Sequence, residues 1–441
     1  MQVQQPTRMY PFCSFTEPRV DDHTYTQTGA LNPGPLDLFP NELLASILSL
    51  STHTADLEEL ARQLDYDTVF PFTALRVCKR WREVTYGTSG IWAVAAIKAR
   101  PEWYPRLIEH AQRCGDRSME LSVSMDVTRH AKFFECFEAF NGHTKPASEL
   151  QLLHKIRRLR IICPRGKFIT SSSNVEELMF VLKRWGARLE EVEWVISESD
   201  GSMDTSIVWC LITEWLIEIC KFHSGLRSLR LGGIRVFTQQ DTSSSNKISW
   251  LLPELEVLVL DDCDAHTIEF LRYAEMPTLH TLSISCSDTP DHDPKAQSRA
   301  MSTRIAHIPS VQQLTLVRIP TLQDLMKVLS SVPNVKHLTL DGRWTTEPFD
   351  NEVQGFVIHL ESLKVLGLST KIGMTRVKCV VETRLGTLQS VTLEVRGGEV
   401  EDSKEAEELK WFQEHGVVFS LLFPTDYSTG VKGLEHDPQS T

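Results

Sequence analysis

"LHTLSI" (residues 279–284), "VQQLTL" (311–316) and "VKHLTL" (335–340) share one frame, with apolar residues at the first, fourth and sixth places. The frame recurs as "IRRLRI" from Ile156, "LEEVEW" from Leu189, "LRSLRL" from Leu226, "LEVLVL" from Leu255, "LKVLGL" from Leu363 and "LQSVTL" from Leu388. Nine starts between Ile156 and Leu388 give a mean period of 29 residues, irregular from unit to unit. Side chains alternate along a strand, so the frame's apolar residues pack inward while places three, five and seven share the opposite face. "MELSVSM" from Met119 reads as a degenerate first strand and "VVFSLLF" from Val417 as a last one.

Between the frames lie "VEELMFVLKRW" (175–185), "TEWLIEICKF" (213–222), "TIEFLRYA" (267–274), "LQDLMKVLSSV" (322–332) and "EAEELKWFQEH" (405–415), with apolar residues at the three- and four-residue spacing of helices. A short strand followed by a helix at such a period resembles a leucine-rich-repeat solenoid. One unit cannot bury its own apolar side, so neighbours stack. The expected class is α/β, with a curved parallel sheet and outer helices over residues 96–424, including a linker helix at its start.

The region before the repeats is organised differently. Residues 1–35, rich in Thr, Pro and Gly, read as disordered, and 425–441 as a flexible tail. In "LDLFPNELLASILSLS" (36–51), Pro40 suits the first helical turn, and Leu43, Leu44, Ile47 and Leu48 form an apolar stripe. In "FTALRVCKRWREV" (72–84), Val77, Trp81 and Val84 fall at i, i+4 and i+7, which turns Trp81 inward. Cys78, beside Lys79 and Arg80, reads as a small buried hydrophobe rather than a reactive thiol. "GTSGIW" then breaks the helix with two glycines and restarts the chain at Ile91 and Trp92. A three-helix unit over residues 36–95 results.

These residues carry a resemblance. Pro40, Glu42, Leu43, Leu44, Ile47 and Leu48, then Val77 through Arg82, then Ile91 and Trp92, resemble in order an F-box, the motif by which substrate receptors dock onto the Skp adaptor of a cullin ubiquitin ligase. The long connection "THTADLEELARQLDYDTVFP" (52–71) is similar to the expanded F-box-like form common in fungal proteins. With the repeats, nearly the whole chain resembles the F-box/leucine-rich-repeat family. The resemblance implies that Phe39, Pro40, Leu43, Leu44, Ile47, Leu48, Val77, Trp81, Ile91 and Trp92 dock the adaptor. It also implies that the concave repeat face captures a target protein, through Arg158, Arg160, Glu191, Glu193, Arg230, Thr281, Gln313, His337 and Thr339, with Thr392 among the same polar positions.

Composition narrows the other classes. A net charge of −12 disfavours general binding to a phosphate backbone. The basic run from Lys155 to Lys167 holds six Lys or Arg, but Arg158 and Arg160 fall beside Glu191 and Glu193 of the next strand, where cross-strand pairing is expected. "SDTPDHDP" gathers Asp288, Asp291, His292 and Asp293 at a spacing that fits no zinc or calcium loop, so no metal is expected there. The most apolar stretch, "SIVWCLITEWLIEIC" (206–220), contains Glu214 and Glu218 and reads as a buried helix, not a membrane span. Ten cysteines without a Cys-x-x-Cys pair, and no signal-peptide pattern, indicate reduced thiols in cytoplasm or nucleus. No nucleophile elbow, zinc-protease motif or phosphate loop is present, so neither catalysis nor a cofactor is expected. The favoured expectation is a non-catalytic ligase substrate receptor; the alternative is an interaction scaffold in which the three-helix unit only caps the solenoid.

Overall fold

The computed structural model describes residues 39–54, 70–98, 104–124, 153–164, 188–197, 209–212, 225–237, 250–263, 271, 274–286, 307–319, 322–341, 359–368, 377–378, 381–382, 387–396, 403–415 and 418–422. The disorder expected of residues 1–35, the flexible tail expected at 425–441, the helices expected over 175–185 and 213–222 and the Asp288–Asp293 cluster lie outside them.

The strands are β1 (Val94–Lys98), β2 (Met119–Ser124), β3 (Ile156–Pro164), β4 (Glu191–Ser197), β5 (Trp209–Ile212), β6 (Ser228–Gly232), β7 (Ile234–Phe237), β8 (Trp250–Leu251), β9 (Val257–Cys263), β10 (Ala274–Glu275), β11 (Thr281–Cys286), β12 (Gln313–Val317), β13 (His337–Asp341), β14 (Ser362–Leu368), β15 (Ser390–Arg396) and β16 (Val418–Leu422). Twelve of them, in the order β1-β2-β3-β4-β6-β9-β11-β12-β13-β14-β15-β16, form one parallel sheet. The remaining four make two small parallel pairs, β5 with β7 and β8 with β10. Residues 209–212 are thus strand, against the helix read from their apolar run. The chain leaves β6 for β7 through Gly233, whose φ of 65° only glycine adopts readily.

Sequence frames become structural rows. Leu282, Leu314 and Leu338 are successive partners, as are Ile284, Leu316 and Leu340, and with Leu279, Val311 and Val335 all are buried. One frame is corrected. Leu338 pairs with Leu363 and Leu340 with Val365, so the unit is Leu360-Glu-Ser-Leu363-Lys-Val365, three residues earlier than "LKVLGL". Pairing with β13 selects this frame, and Leu360, Leu363 and Val365 are accordingly buried while Leu366 is only partly so.

A turn precedes the strands. Leu252, Met276, Ile308 and Val332, three residues before their frames, are buried, and each is followed by proline: Pro253, Pro277, Pro309 and Pro333. Leu255 N, Leu279 N and Val311 N donate back to the carbonyls of Leu252, Met276 and Ile308. Proline's fixed φ suits the second place of such a turn. Side chains then stitch unit to unit: Thr278 Oγ1 donates to Pro253 O at 2.8 Å and Asn334 Nδ2 to Pro309 O at 2.8 Å.

The described helices are α1 (Asn41–Thr54), α2 (Phe72–Leu75), α3 (Lys79–Gly87), α4 (Tyr104–Arg113), α5 (Leu322–Ser331) and α6 (Ser403–Glu414), with 3₁₀ turns at Ser89–Trp92 and Leu153–Lys155. Helices α5 and α6 match the helices read at 322–332 and 405–415. None of the described helices is long and apolar enough to cross a membrane. The sheet begins earlier than expected: β1 follows Trp92 after one residue and pairs with β2, and Glu120 N donates to Ala93 O at 2.8 Å. Helical unit and sheet therefore share a boundary at residues 93–94, and the helix expected at the start of the repeat region is α4, which follows β1 instead of preceding the sheet.

Candidate functional site

Two surfaces contain the candidate residues. The first is on α1, whose helix begins after Pro40, with Leu44 N donating to Pro40 O at 3.0 Å. The expected four-residue stripe is split. Leu44 and Leu48 are 1% and 2% exposed and pack with Phe72, Ala74, Val84, Ile91, Trp92 and Cys114. Leu43 (44% exposed), Ile47 (40%) and Leu50 (66%) lie outside that core. Positions 43, 47 and 50 repeat at i, i+4 and i+7, so they form one line along the helix, turned about 100° from Leu44. Only the Leu44–Leu48 ridge enters the core, and an apolar line remains in solvent.

Of the ten residues expected to dock an adaptor, Pro40, Leu43, Ile47 and Val77 are exposed and Phe39 and Trp81 half-buried. Leu44, Leu48, Ile91 and Trp92 are buried in the unit's own core, which corrects them from contact residues to supporting ones. Leu50 was missed, although it continues the i, i+4, i+7 line. Val77 is not helical, since α3 starts at Lys79, capped by Cys78, whose Sγ accepts from Trp81 N at 3.5 Å. Cys78 is exposed, not the buried hydrophobe expected. Arg80 Nε donates to Asn41 Oδ1 at 2.9 Å and its Nη2 to the Phe39 carbonyl, which draws the start of α3 against the start of α1. The Val77 turn thereby lies at the Leu43 end of α1.

Trp92 anchors the unit to the sheet. Its Nε1 donates to Thr85 O at 2.8 Å, and its ring stacks on Tyr86 and meets Phe72 and His110 edge-on, with centroids 6.0, 5.9 and 5.1 Å away. Arg106 lies over Phe72 and Arg113 over Tyr86, at 4.3 and 4.0 Å, and Glu109 pairs with both guanidinium groups at 3.1 Å. His110 Nδ1 is 3.2 Å from Trp92 O, which can only accept, so that nitrogen carries the proton. Burial lowers the His110 pKa from 6.5 to about 4, against a smaller upward pull from that hydrogen bond. The ring is neutral at neutral pH.

The second surface is the sheet face carrying frame places three and five. Place three runs Arg158, Glu191, Ser228, Val257, Thr281, Gln313, His337, Ser362, Ser390. Place five runs Arg160, Glu193, Arg230, Val259, Ser283, Thr315, Thr339, Lys364, Thr392 in the same order of strands. All nine candidate face residues therefore fall on one side of the sheet. Arg158 Nε is 3.0 Å from Glu191 Oε1, and Glu193 lies between Arg160 (2.9 Å) and Arg230 (3.3 Å). The Arg160 nitrogen facing Glu193 lacks hydrogen-bond alignment, so that contact is Coulombic. Arg230 continues to Asp261 at 2.7 Å. Asp261, at place seven of its frame, was missed, although the alternation of faces assigns it here.

Beyond Val257 and Val259 the face changes to mostly hydroxyl and amide groups, with His337 and Lys364 among them. Thr281 Oγ1 donates to Gln313 Oε1 at 3.1 Å and Ser390 Oγ to Ser362 Oγ at 2.9 Å. Among the described residues, no three His, Cys, Asp or Glu are placed to hold a metal ion.

No protein-family model matches the chain, and no curated protein matches it. A solved structure of a Bacteroides fragilis protein is similar at 13% identity, covering 73% of this chain and 81% of that one, with a TM-score of 0.36.

Proposed function

We propose that this chain is the substrate-recognition subunit of a Skp, cullin and F-box type ubiquitin ligase, with an F-box-like unit at residues 36–95 and a leucine-rich-repeat solenoid after it. The chain carries no catalysis of its own. The unit docks a Skp-type adaptor, and through it a cullin, while the charged and hydroxyl rows of the sheet face capture the target protein.

The observation that carries this reading is the exposed line Leu43, Ile47 and Leu50, with Val77 at its end. Three large aliphatic side chains aligned in water on one helix call for a partner. A unit that merely capped the solenoid would need Ile91 and Trp92, which fill its junction with β1, but would have no use for an outward apolar line. The cap is compatible with docking, and the outward line adds what the scaffold alternative leaves unexplained.

The paired charges fit target selection better than affinity. Each exposed pair contributes under about 1 kcal/mol, yet together they reject surfaces of the wrong charge pattern. Co-expression of the full chain with a Skp-type adaptor and a cullin N-terminal domain tests the reading. A complex that survives gel filtration is expected; a folded chain that elutes alone would remove the ligase role.

A further inference from the structure

A second set of rows runs along the edge where the strands begin, away from the charged and hydroxyl face. Ser310, Asn334, His359 and Thr387 stand one residue before their frames, and Gln312, Lys336, Glu361 and Gln389 occupy place two. With Pro309 these eight line an open groove of about 630 Å³ across four consecutive units. The floor is backbone in continuous register: Lys336 N donates to Gln312 O, Glu361 N to Lys336 O and Gln389 N to Glu361 O, each at 2.8 Å.

The lining defines the occupant. Lys336 Nζ and Glu361 Oε1 neutralise each other at 3.0 Å, so the Lys, Arg, Asp and Glu side chains among the described lining residues present no net charge to a phosphate or a polyanion. Among the described residues that line it there is no Phe, Tyr or Trp on which a sugar ring or base would stack. What it offers is amide groups at both ends: Gln312 and Gln389 are exposed, and neither side chain is bonded to another described group. A primary amide donates and accepts side by side, which matches the paired N–H and C=O of a peptide unit. Strands spaced about 4.8 Å apart put some 14 Å between the first and fourth units, roughly the length of four extended residues at about 3.3 Å each.

We infer that this edge groove is a binding site for a short extended peptide segment, uncharged at its centre, held through its backbone by Gln312, Gln389 and the polar groups between them. This site is separate from the adaptor-docking line and the sheet face, and stands or falls independently of the ligase role.

The test is selection of a phage-displayed random hexapeptide library on the full chain, followed by Kd measurement for the enriched peptides. Expected is enrichment of peptides without central charge, whose binding is little changed between low and high salt. Gln312→Ala with Gln389→Ala should weaken it about tenfold, the loss of two neutral hydrogen bonds, while Gln313→Ala on the sheet face should leave it within about twofold on the same scale. Both glutamines are exposed, so circular dichroism of the double variant should match the parent. Failure to enrich any peptide would overturn the inference. So would selection of acidic or basic peptides released by salt, or a loss that follows Gln313 instead.

Discussion

The helical unit and the repeat sheet present opposite kinds of surface. On α1, the apolar side chains of Leu43, Ile47 and Leu50 are exposed, and the charged Arg80 bonds inside the unit to Asn41 and Phe39. On the sheet, the frame's apolar side chains are buried, and from β3 to β9 the opposite face carries charges that already have partners, from Arg158–Glu191 to Arg230–Asp261. The first arrangement gains free energy when any complementary apolar groove covers it, because burial of aliphatic surface is non-directional. The second gains little from simple contact, since a partner must replace ion pairs that exist already. Tight attachment to a common component suits the first, and discrimination among many suits the second.

The comparison breaks most easily on α1, where adjacent ridges have opposite roles. Leu44→Ala should lose about 2–5 kcal/mol of stability, the range for buried leucine truncation, whereas Ile47→Ala should change it by under about 1 kcal/mol. Chemical denaturation of both variants, followed by Trp fluorescence, measures the difference. Equal effects would mean that α1 is turned about its axis, with the Leu43–Ile47 line against the core.

His110 sharpens the same contrast, because it belongs to the covered interior between unit and sheet. Its folded pKa, near 4, lies below the ordinary 6.5, so the folded state binds fewer protons than the unfolded chain between those values. The contribution is fully present above pH 6.5 and is lost as the pH falls toward 4, amounting to roughly 3 kcal/mol at most. Unfolding free energies across that window should show the slope for the parent and a flatter one for His110→Gln.

The smallest effect belongs to the sheet face. Glu193→Lys places a third cation between Arg160 and Arg230 and should cost about 1 kcal/mol, reduced by salt. Calorimetric melting at two ionic strengths measures it. A collapse of the fold would instead show that the ion pairs hold the sheet together.

Most of the sheet was legible because a parallel stack repeats one rule. In eight of the nine frames with apolar places one, four and six, the strand and its face followed, down to the pairing of Arg158 with Glu191. The rule misplaced β14 because Leu360, Leu363, Leu366 and Leu368 fit two frames equally, and only the neighbouring strand chooses between them. Its extension was overlooked in the Leu-Pro, Met-Pro, Ile-Pro and Val-Pro pairs that begin the turns at 252, 276, 308 and 332, a signal plain in the sequence. The α1 surface was only half legible. Periodicity marked Leu43, Leu44, Ile47 and Leu48 as one stripe, but which ridge is covered depends on Phe72 and Trp92, brought there by tertiary packing. Strand β1 was hidden for another reason: "VAAIK" is short and lacks the frame, and pairing with β2 decides its conformation.

The most direct measurement is the affinity of a purified Skp-type adaptor for the full chain and for a Leu43→Asp, Ile47→Asp double variant, by isothermal titration calorimetry. Both positions are exposed, so the variant should unfold at nearly the parent's denaturant midpoint. Its adaptor Kd should rise at least about 100-fold, as expected when two central apolar contacts become buried charges. A folded double variant that binds the adaptor as tightly as the parent, or a parent that does not bind it at all, would contradict the docking role of α1.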